Sequence, residues 1–256
     1  MTAAPLVQLH NIGKSFANGV VALEGLNLTI QSGDFLSLLG PSGCGKSTAL
    51  RLIADLSSPS LGRIEWPQGE QARQKIGFVF QDSTLMPWTS VFNNVFLPLR
   101  LAGVRKSEAD YRIHEALDLV GLRAFESAFP GELSGGMKMR ASIARALIQR
   151  PQLLLMDEPF AALDEITRVK LNNDLLHLKA ELGMTIVFVT HSVYESVYLS
   201  NRIAVFASRP GRIVRMIEID APYPRDLNFR HSALYAQCCK TASEALQGAM
   251  SLEDQL

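Results

Sequence analysis

Two stretches of this chain bring glycine and serine to the start of a helix pattern, the ingredients of a backbone site for phosphate. The first is GPSGCGKST, Gly40 to Thr48. Gly40, Gly45, Lys46 and Ser47 stand at the spacing G-x-x-x-x-G-K-S. Glycines let successive backbone N–H groups turn inward, Lys46 supplies a point charge to β- and γ-phosphate oxygens, and Ser47 offers a hydroxyl to Mg2+. Pro41, Ser42, Gly43, Cys44 and Thr48 complete the cradle. The alternative, a plain glycine turn, is disfavoured by the setting after a strand and before a helix. The second stretch is LSGGMKMR, residues 133–140. Its Ser134, Gly135 and Gly136 can expose backbone N–H groups just ahead of a helix, which makes an anion site in its own right. One chain with two such sites needs a reason for both.

Polar residues follow three apolar runs. LLLMDE places Asp157 and Glu158 at the end of a buried strand, where ligand chemistry gathers in open α/β sheets. With the phosphate loop upstream, Asp157 is expected to hold Mg2+ and Glu158 to polarise the attacking water. His191 follows MTIVFVT. It is either a polar residue at a strand–helix turn or a contact for the γ-phosphate. Gln81, after IGFVF, carries the same two readings, the second being a sensor of metal and water. Phe16 is either a core aromatic of a β region or a flat ring for adenine to stack on.

These residues need strands and helices to hold them. LVQLHNIGKSF and VVALEGLNLTI alternate apolar and polar positions around ANG, which predicts an antiparallel hairpin over residues 6–30. DFLSLLG reads as a buried strand, KSTALRLIADL as a helix, and KIGFVFQD as a further strand. From about 92 to 150 helical spacing takes over. In SEADYRIHEALDLVGL the residues Ala109, Ile113, Ala116, Leu117 and Val120 fall on one face, and a second helix follows LSGG up to Pro151. QLLLMDEP, MTIVFVTH, RIAVFA and RIVRMIEI return to strand; the continuous runs LLLM and IVFV suit a parallel sheet buried on both faces. DEITRVKLNNDLLHLKAELG is a helix closed by Gly183. APYPRD reads as a turn, and SALYAQCCKTASEALQGAM as one helix packing on its own body.

The expected fold class is therefore α/β. A P-loop NTPase core with a mostly parallel sheet carries an N-terminal antiparallel β region and an inserted α-helical subdomain. The core takes residues 1–91 and 151–220, the helical insertion 92–150, and a C-terminal extension 221–256 of a single domain.

Bulk properties agree. The chain has 256 residues, 47% of them hydrophobic and 20% charged, enough for a sizeable core. Lys plus Arg equals Asp plus Glu at 25 each, so bulk charge offers no sign of nucleic-acid binding, and none is expected. Cys44, Cys238 and Cys239 do not suggest a disulfide framework. The opening MTAAPLVQLHNIGKSF has no signal-peptide pattern, and no apolar run is long enough for a membrane span. Membrane association is expected only through a partner.

In this order the pieces resemble the ATP-binding subunits of ABC transporters, from Phe16 to at least His191. GPSGCGKST looks like that family's Walker A, FQD its Q-loop, LSGGM its signature, LLLMDEP its Walker B, ALD at 162–164 its D-loop, and VTH its switch histidine. The resemblance implies ATP and Mg2+ as cofactors and answers why there are two phosphate stretches. Two copies pack head to tail, and the Walker A of one faces Ser134, Gly135 and Gly136 of the other. Lys46, Gln81, Glu158 and His191 are then the catalytic set. Phe16, Gly40 to Thr48, Gln81, the signature residues and Asp164 bind nucleotide, and Ser47, Gln81 and Asp157 hold the metal. QDSTLMPWTSVFNNVFLPL and EPFAALDEITR look like importers of the nitrate, sulfonate and taurine type. That implies integral-membrane permease subunits, a solute-binding protein acting indirectly, and a place on the cytoplasmic face of the membrane. Gln81, Met86, Pro87 and Trp88 would form a groove for the permease, unless Trp88 packs within its own subdomain. Met139 departs from the pattern, where a polar residue, often Gln, is expected. The alternative of an ABC-type ATPase not coupled to transport usually brings coiled-coil insertions or two cassettes in one chain, and neither is present here. An exporter half often has its membrane helices fused to the ATPase, a P-loop kinase or GTPase leaves LSGGM unexplained, and a non-hydrolysing module sits poorly with Glu158 and His191.

Overall fold

The alternation over residues 6–30 folds into strands β1 (Pro5–Ser15) and β2 (Val21–Gln31), paired antiparallel. The turn between them closes with Phe16 N–H donating to Val20 O at 2.9 Å, and Gly19 takes φ 84°. The computed structural model describes residues 4–69, 76–207, 210–223 and 225–251. Lys75, Pro224 and residues 252–256, which belong to the expected strand KIGFVFQD, the turn APYPRD and the C-terminal extension, lie outside the described residues.

The apolar runs build a six-stranded sheet. Its strands are β3 (Phe35–Leu39), β5 (Ile76–Val79), β6 (Leu153–Asp157), β7 (Thr185–Thr190), β8 (Arg202–Ala207) and β9 (Arg212–Glu218), in the order β5-β6-β7-β3-β8-β9. All pairings are parallel except β8 with β9. Every residue of β3, β6 and β7 is buried, and alternate residues serve two different cores. Leu36, Leu38, Leu153, Leu155, Val187 and Val189 face the antiparallel sheet and helix α1 (Lys46–Ile53). Phe35, Leu39, Leu154, Met156, Ile186 and Phe188 face the helical side. A period of two with both faces apolar erases the polar alternation, which is why these strands read as continuous hydrophobic runs.

Between β5 and β6 lie α2 (Val91–Leu101), α3 (Lys106–Leu119) and α4 (Gly135–Leu147). The apolar face read from spacing is the buried one: Ala109, Ile113, Ala116 and Leu117 of α3 all enter the core. Met139 of α4 is only 4% exposed and packs in the same core, so an apolar side chain at this position is accommodated by burial. Helix α5 (Glu165–Leu182) begins at Asp164, whose carboxylate accepts the Thr167 N–H at 2.9 Å, and ends at Gly183 with φ 60°. Helix α6 (Val193–Leu199) follows β7.

One strand was not anticipated. β4 (Leu61–Glu65) pairs antiparallel with the other side of β1. None of its residues is fully buried, so it carries no apolar alternation to read. Gly62 is required there: its φ is 84°, and a Cβ would lie 2.3 Å from His10 O.

The C-terminal extension contributes α7 (Leu227–Arg230) and α8 (Ala233–Ser251). Tyr235, Cys239, Ala242, Ala245 and Ala249 form the buried stripe of α8. Arg225 locks this tail on. Its guanidinium donates to Val197 O at 2.9 Å, Tyr198 O at 3.1 Å and Ser200 O at 2.9 Å, satisfying carbonyls at the end of α6, and to Ala221 O at 3.2 Å within the tail itself. It also lies 4.5 Å from the Tyr223 ring and 4.9 Å from Phe229. Burial among so many donors' targets leaves several acceptors orphaned if the side chain is removed. Arg225→Ala is expected to lower the unfolding free energy by about 3 kcal/mol, measured as a reduced urea midpoint at constant m.

Candidate functional site

Parallel pairing decides where the polar residues meet. Leu39 pairs with Thr190, Asp157 with Val189, and Val79 with Met156. The carboxyl ends of β3, β5, β6 and β7 therefore share one edge of the sheet. The loop from β3 to α1, Gln81, the Asp157–Glu158 pair and His191 all emerge there.

Backbone geometry forms the glycine loop. Gly43 and Gly45 take φ 80° and 91°, a region side-chain-bearing residues rarely adopt. A Cβ on Gly45 would sit 2.7 Å from Ala22 O, and one on Gly40 would sit 2.9 Å from both Cys44 Sγ and Phe206 O. Gly211 presses on the loop from behind, so that its own Cβ would come within 2.2 Å of Cys44 O. The N-terminus of α1 has no side-chain cap, with Gly45 in the capping position. Its free N–H groups are thus open to an anion.

Lys46 is 3% exposed. Its Nζ donates to Gly40 O at 2.8 Å and Pro41 O at 2.7 Å, which curls the ammonium back over the loop. Cys44 Sγ lies 3.6 Å from the same nitrogen, and burial pushes the Cys44 thiol pKa up. Cys44 is thus a packing thiol at the base of the loop.

Ser47 Oγ donates to Asp157 Oδ1 at 2.7 Å. Asp157 is 8% exposed. Burial pushes its carboxyl above the usual range against the Ser47 hydrogen bond, and the neighbouring Glu158 pushes the same way. Two hard oxygen donors in contact, with Gln81 lining the same cleft, suit Mg2+, which takes few protein ligands. Among the described residues no group of three His, Cys, Asp or Glu could hold a metal. A cation here would draw its remaining oxygens from phosphate and water.

Glu158 has φ 44°, unusual for a residue with a side chain. Its N–H donates to Val189 O at 3.1 Å, which pins the turn to the neighbouring strand. Its Oε2 lies 3.4 Å from His191 Nδ1. The acid and the imidazole thus meet at the sheet edge, beside the Ser47–Asp157 contact.

A cleft of about 910 Å3 is lined by Phe16, Ser42, Gly43, Gly45 to Thr48, Gln81 and Glu158. Phe16 is 45% exposed at its rim, not buried in a core, with Lys14 Nζ 5.6 Å from its ring. Val20, Val21 and Ala22, which follow Phe16 across the β1–β2 turn, and Pro210, just before β9, also line the cleft. A second cavity, of about 600 Å3, lies elsewhere and holds none of the expected site residues.

The second phosphate stretch is not in this cleft. Ser134 caps α4, accepting the Met137 N–H at 3.3 Å, and Ser134 and Gly135 are exposed. A Cβ on Gly136 would meet Thr167 Cγ2 at 2.6 Å, so this glycine lets α4 approach α5. Asp164 caps α5 beside it. Ser134, Gly135 and Asp164 are thus exposed together in a separate group, with the buried Gly136 beneath them. Trp88 is 75% exposed and does not pack within its own subdomain. Its loop is braced from below by the buried Asn94, which bonds Met86 N and O, Thr89 O and Ser90 O.

Sequence reasoning passed over Arg168 and Glu195. Glu195 had a legible signal: Ser192 and Glu195 stand at capping-box spacing.

The sequence profile of the family described as ABC transporter matches residues 23–161, more than half of the chain. An uncharacterized ABC transporter ATP-binding protein of Methanocaldococcus jannaschii is 45% identical over 225 residues, covering 86% of this chain and 84% of that one. An aliphatic sulfonates import ATP-binding protein of Bacillus licheniformis is 44% identical over 219 residues, covering 83% and 84%. Among solved structures, cbiO1 of Clostridium perfringens, part of an ABC transporter complex, superposes with a TM-score of 0.76 at 27% identity, covering 84% of this chain and 89% of that one. A dimeric ATP-binding cassette in a post-hydrolysis state with ADP and phosphate superposes at 0.72 with 33% identity, covering 84% and 100%.

Proposed function

Since the chain belongs to the ABC transporter family, as one of its ATP-binding subunits, we propose that it is the ATP-hydrolysing subunit of an importer for a small anionic solute of the sulfonate, taurine or nitrate class. The observation that carries the hydrolytic part is the convergence of the Ser47–Asp157 and Glu158–His191 contacts on one edge of the sheet.

The roles follow from the geometry. Lys46 exchanges its two carbonyl partners for β- and γ-phosphate oxygens, so the loop is organised before nucleotide arrives. Phe16 offers its exposed face to adenine. Ser47, Asp157 and Gln81 hold Mg2+, which neutralises phosphate charge when bound. Glu158 accepts the proton of the attacking water, and His191 orients that carboxylate and contacts the γ-phosphate. Phosphoryl transfer is mostly positioning and electrostatics.

Ser134, Gly135, Gly136 and Asp164 complete the site of a second copy. Their separation from the cleft of their own chain supports this reading, as does the exposure of Ile166 at 84% beside Asp164. Nucleotide then closes two copies together, and hydrolysis releases them.

No helix among the described residues is long and apolar enough to cross a membrane. The subunit sits on the cytoplasmic face through a permease, and a separate solute-binding protein feeds that permease. Trp88, exposed on a braced loop, is the anchor for the permease. Trp88→Ala is expected to leave basal ATP hydrolysis within about twofold of wild type and to abolish most of the permease-coupled uptake. Vesicles holding the full complex measure both; unchanged uptake removes Trp88 from the interface. The test of the whole reading is co-purification with a permease, followed by uptake assays across sulfonates, taurine and nitrate.

A further inference from the structure

Ser192 and Glu195 have the spacing of a capping box, in which the glutamate would reach back to the N–H of the capping serine. Half of that box is present: Ser192 Oγ accepts the Glu195 N–H at 3.3 Å. The other half is displaced. Thr190 Oγ1 accepts the Ser192 N–H at 3.0 Å, and donates in turn to Glu195 Oε2 at 2.7 Å. The threonine stands in as a relay, and the residues on both sides of His191 hang from one carboxylate.

That leaves Glu195 Oε1 buried without a hydrogen-bond partner. It faces Arg168 Nε at 3.9 Å, and Arg168 Nε is likewise buried and unpartnered. The rest of the guanidinium grips the other turn. Arg168 Nη2 donates to Leu163 O at 2.9 Å, and Nη1 lies 3.3 Å from Glu165 Oε2, on either side of Asp164. Two orphaned buried groups of opposite charge, just beyond hydrogen-bond reach, are an unclosed contact. A small shift of the 163–165 turn toward α6 would close it.

We propose that Arg168 and Glu195 are positioning residues that link the Leu163–Asp164 turn to the turn carrying His191, so that movement of the first sets where the imidazole stands against Glu158. This rests on the ATPase reading and adds a route within one chain. The surface that meets a second copy includes Asp164, and the group that meets Glu158 is His191. Closing the Arg168–Glu195 contact joins them through four groups: Arg168, Glu195, Thr190 and the backbone of 190–192.

The test uses the full chain with Glu195→Gln, Arg168→Lys and the double variant. Glutamine still accepts from Thr190 but turns an amide N–H2 toward Arg168. Lysine keeps the charge but cannot serve Leu163 O and Glu195 together. Two readouts are taken, steady-state hydrolysis of MgATP and the NMR resonance of the His191 ring, assigned with His191→Gln. Each single variant is expected to lower kcat by about tenfold with KM for ATP within about twofold, to shift the His191 resonance, and to keep a cooperative thermal transition. The double variant is expected to be no worse than either single one, because both break one link. An unmoved His191 resonance overturns the proposal, as does a double variant whose losses multiply. Absence of ATP hydrolysis by the wild type would overturn the functional reading instead, and the resonance would still decide the link.

Discussion

Glu158→Gln is expected to slow ATP hydrolysis by about 100-fold or more while ATP binding persists. The change is isosteric and keeps the backbone at φ 44° and the N–H bond to Val189 O. It removes only the carboxylate to which the proposed function gives the role of base. The turn that holds the residue is strained, and such strain is retained where a side chain must be aimed. Because the phosphate loop and Asp157 are untouched, nucleotide still fills the cleft, and a closed pair of copies should accumulate. Sedimentation of the variant with MgATP should show dimer where the wild type returns to monomer. Normal turnover by Glu158→Gln would remove Glu158 from the role of base, whatever the oligomeric state.

Asp157→Asn is expected to separate stability from activity. Burial raises the carboxyl pKa in the folded protein above its unfolded value. A carboxyl shifted in this direction stabilises the fold only while protonated. That contribution is present below the unfolded carboxylate range and is lost as pH rises through the raised folded value. At neutral pH the charge therefore works against the nucleotide-free fold. Asparagine is neutral, fits the same space, and its carbonyl can still accept from Ser47 Oγ. The variant should melt about 2–4 °C higher than wild type at pH 7, and the gap should close as the solution is acidified. Its Mg2+-dependent hydrolysis should fall by about 100-fold if Asp157 is the metal ligand proposed above, since the cation would lose a charged ligand. MgATP should also raise the melting temperature of the wild type more than that of the variant. Calorimetry with and without MgATP at two pH values checks every sign. A variant that melts lower at pH 7 would mean that the carboxylate is a net stabiliser.

Most of the local structure was legible because it is written at short range. GPSGCGKST states its own backbone need, since only glycine accepts φ 80° and 91° at Gly43 and Gly45. Asp164 and Gly183 mark both ends of α5. The runs LLLM and IVFV announce strands buried on two faces, and the six-stranded sheet has two cores to receive them. Where burial was weak the reading failed, as at β4, where only Ile64 and Glu65 are even half-buried. β9 was legible as a strand, but its antiparallel pairing with β8 was not. Side-chain alternation is the same in either direction.

The sequence alone determined the chemistry available, a phosphate loop with a lysine and a hydroxyl, acids and an imidazole at strand ends, and the family that combines them. Tertiary structure decided which of these groups meet. Strand order and parallel register brought Ser47 against Asp157 and Glu158 against His191, and kept Ser134 out of that cleft. It also left Trp88 in solvent and set Arg168 opposite Glu195. The reason is range. Turn geometry, caps and periodicity are set by residues within a few positions of one another, whereas these contacts join segments whose separation along the chain carries no information about their distance in space.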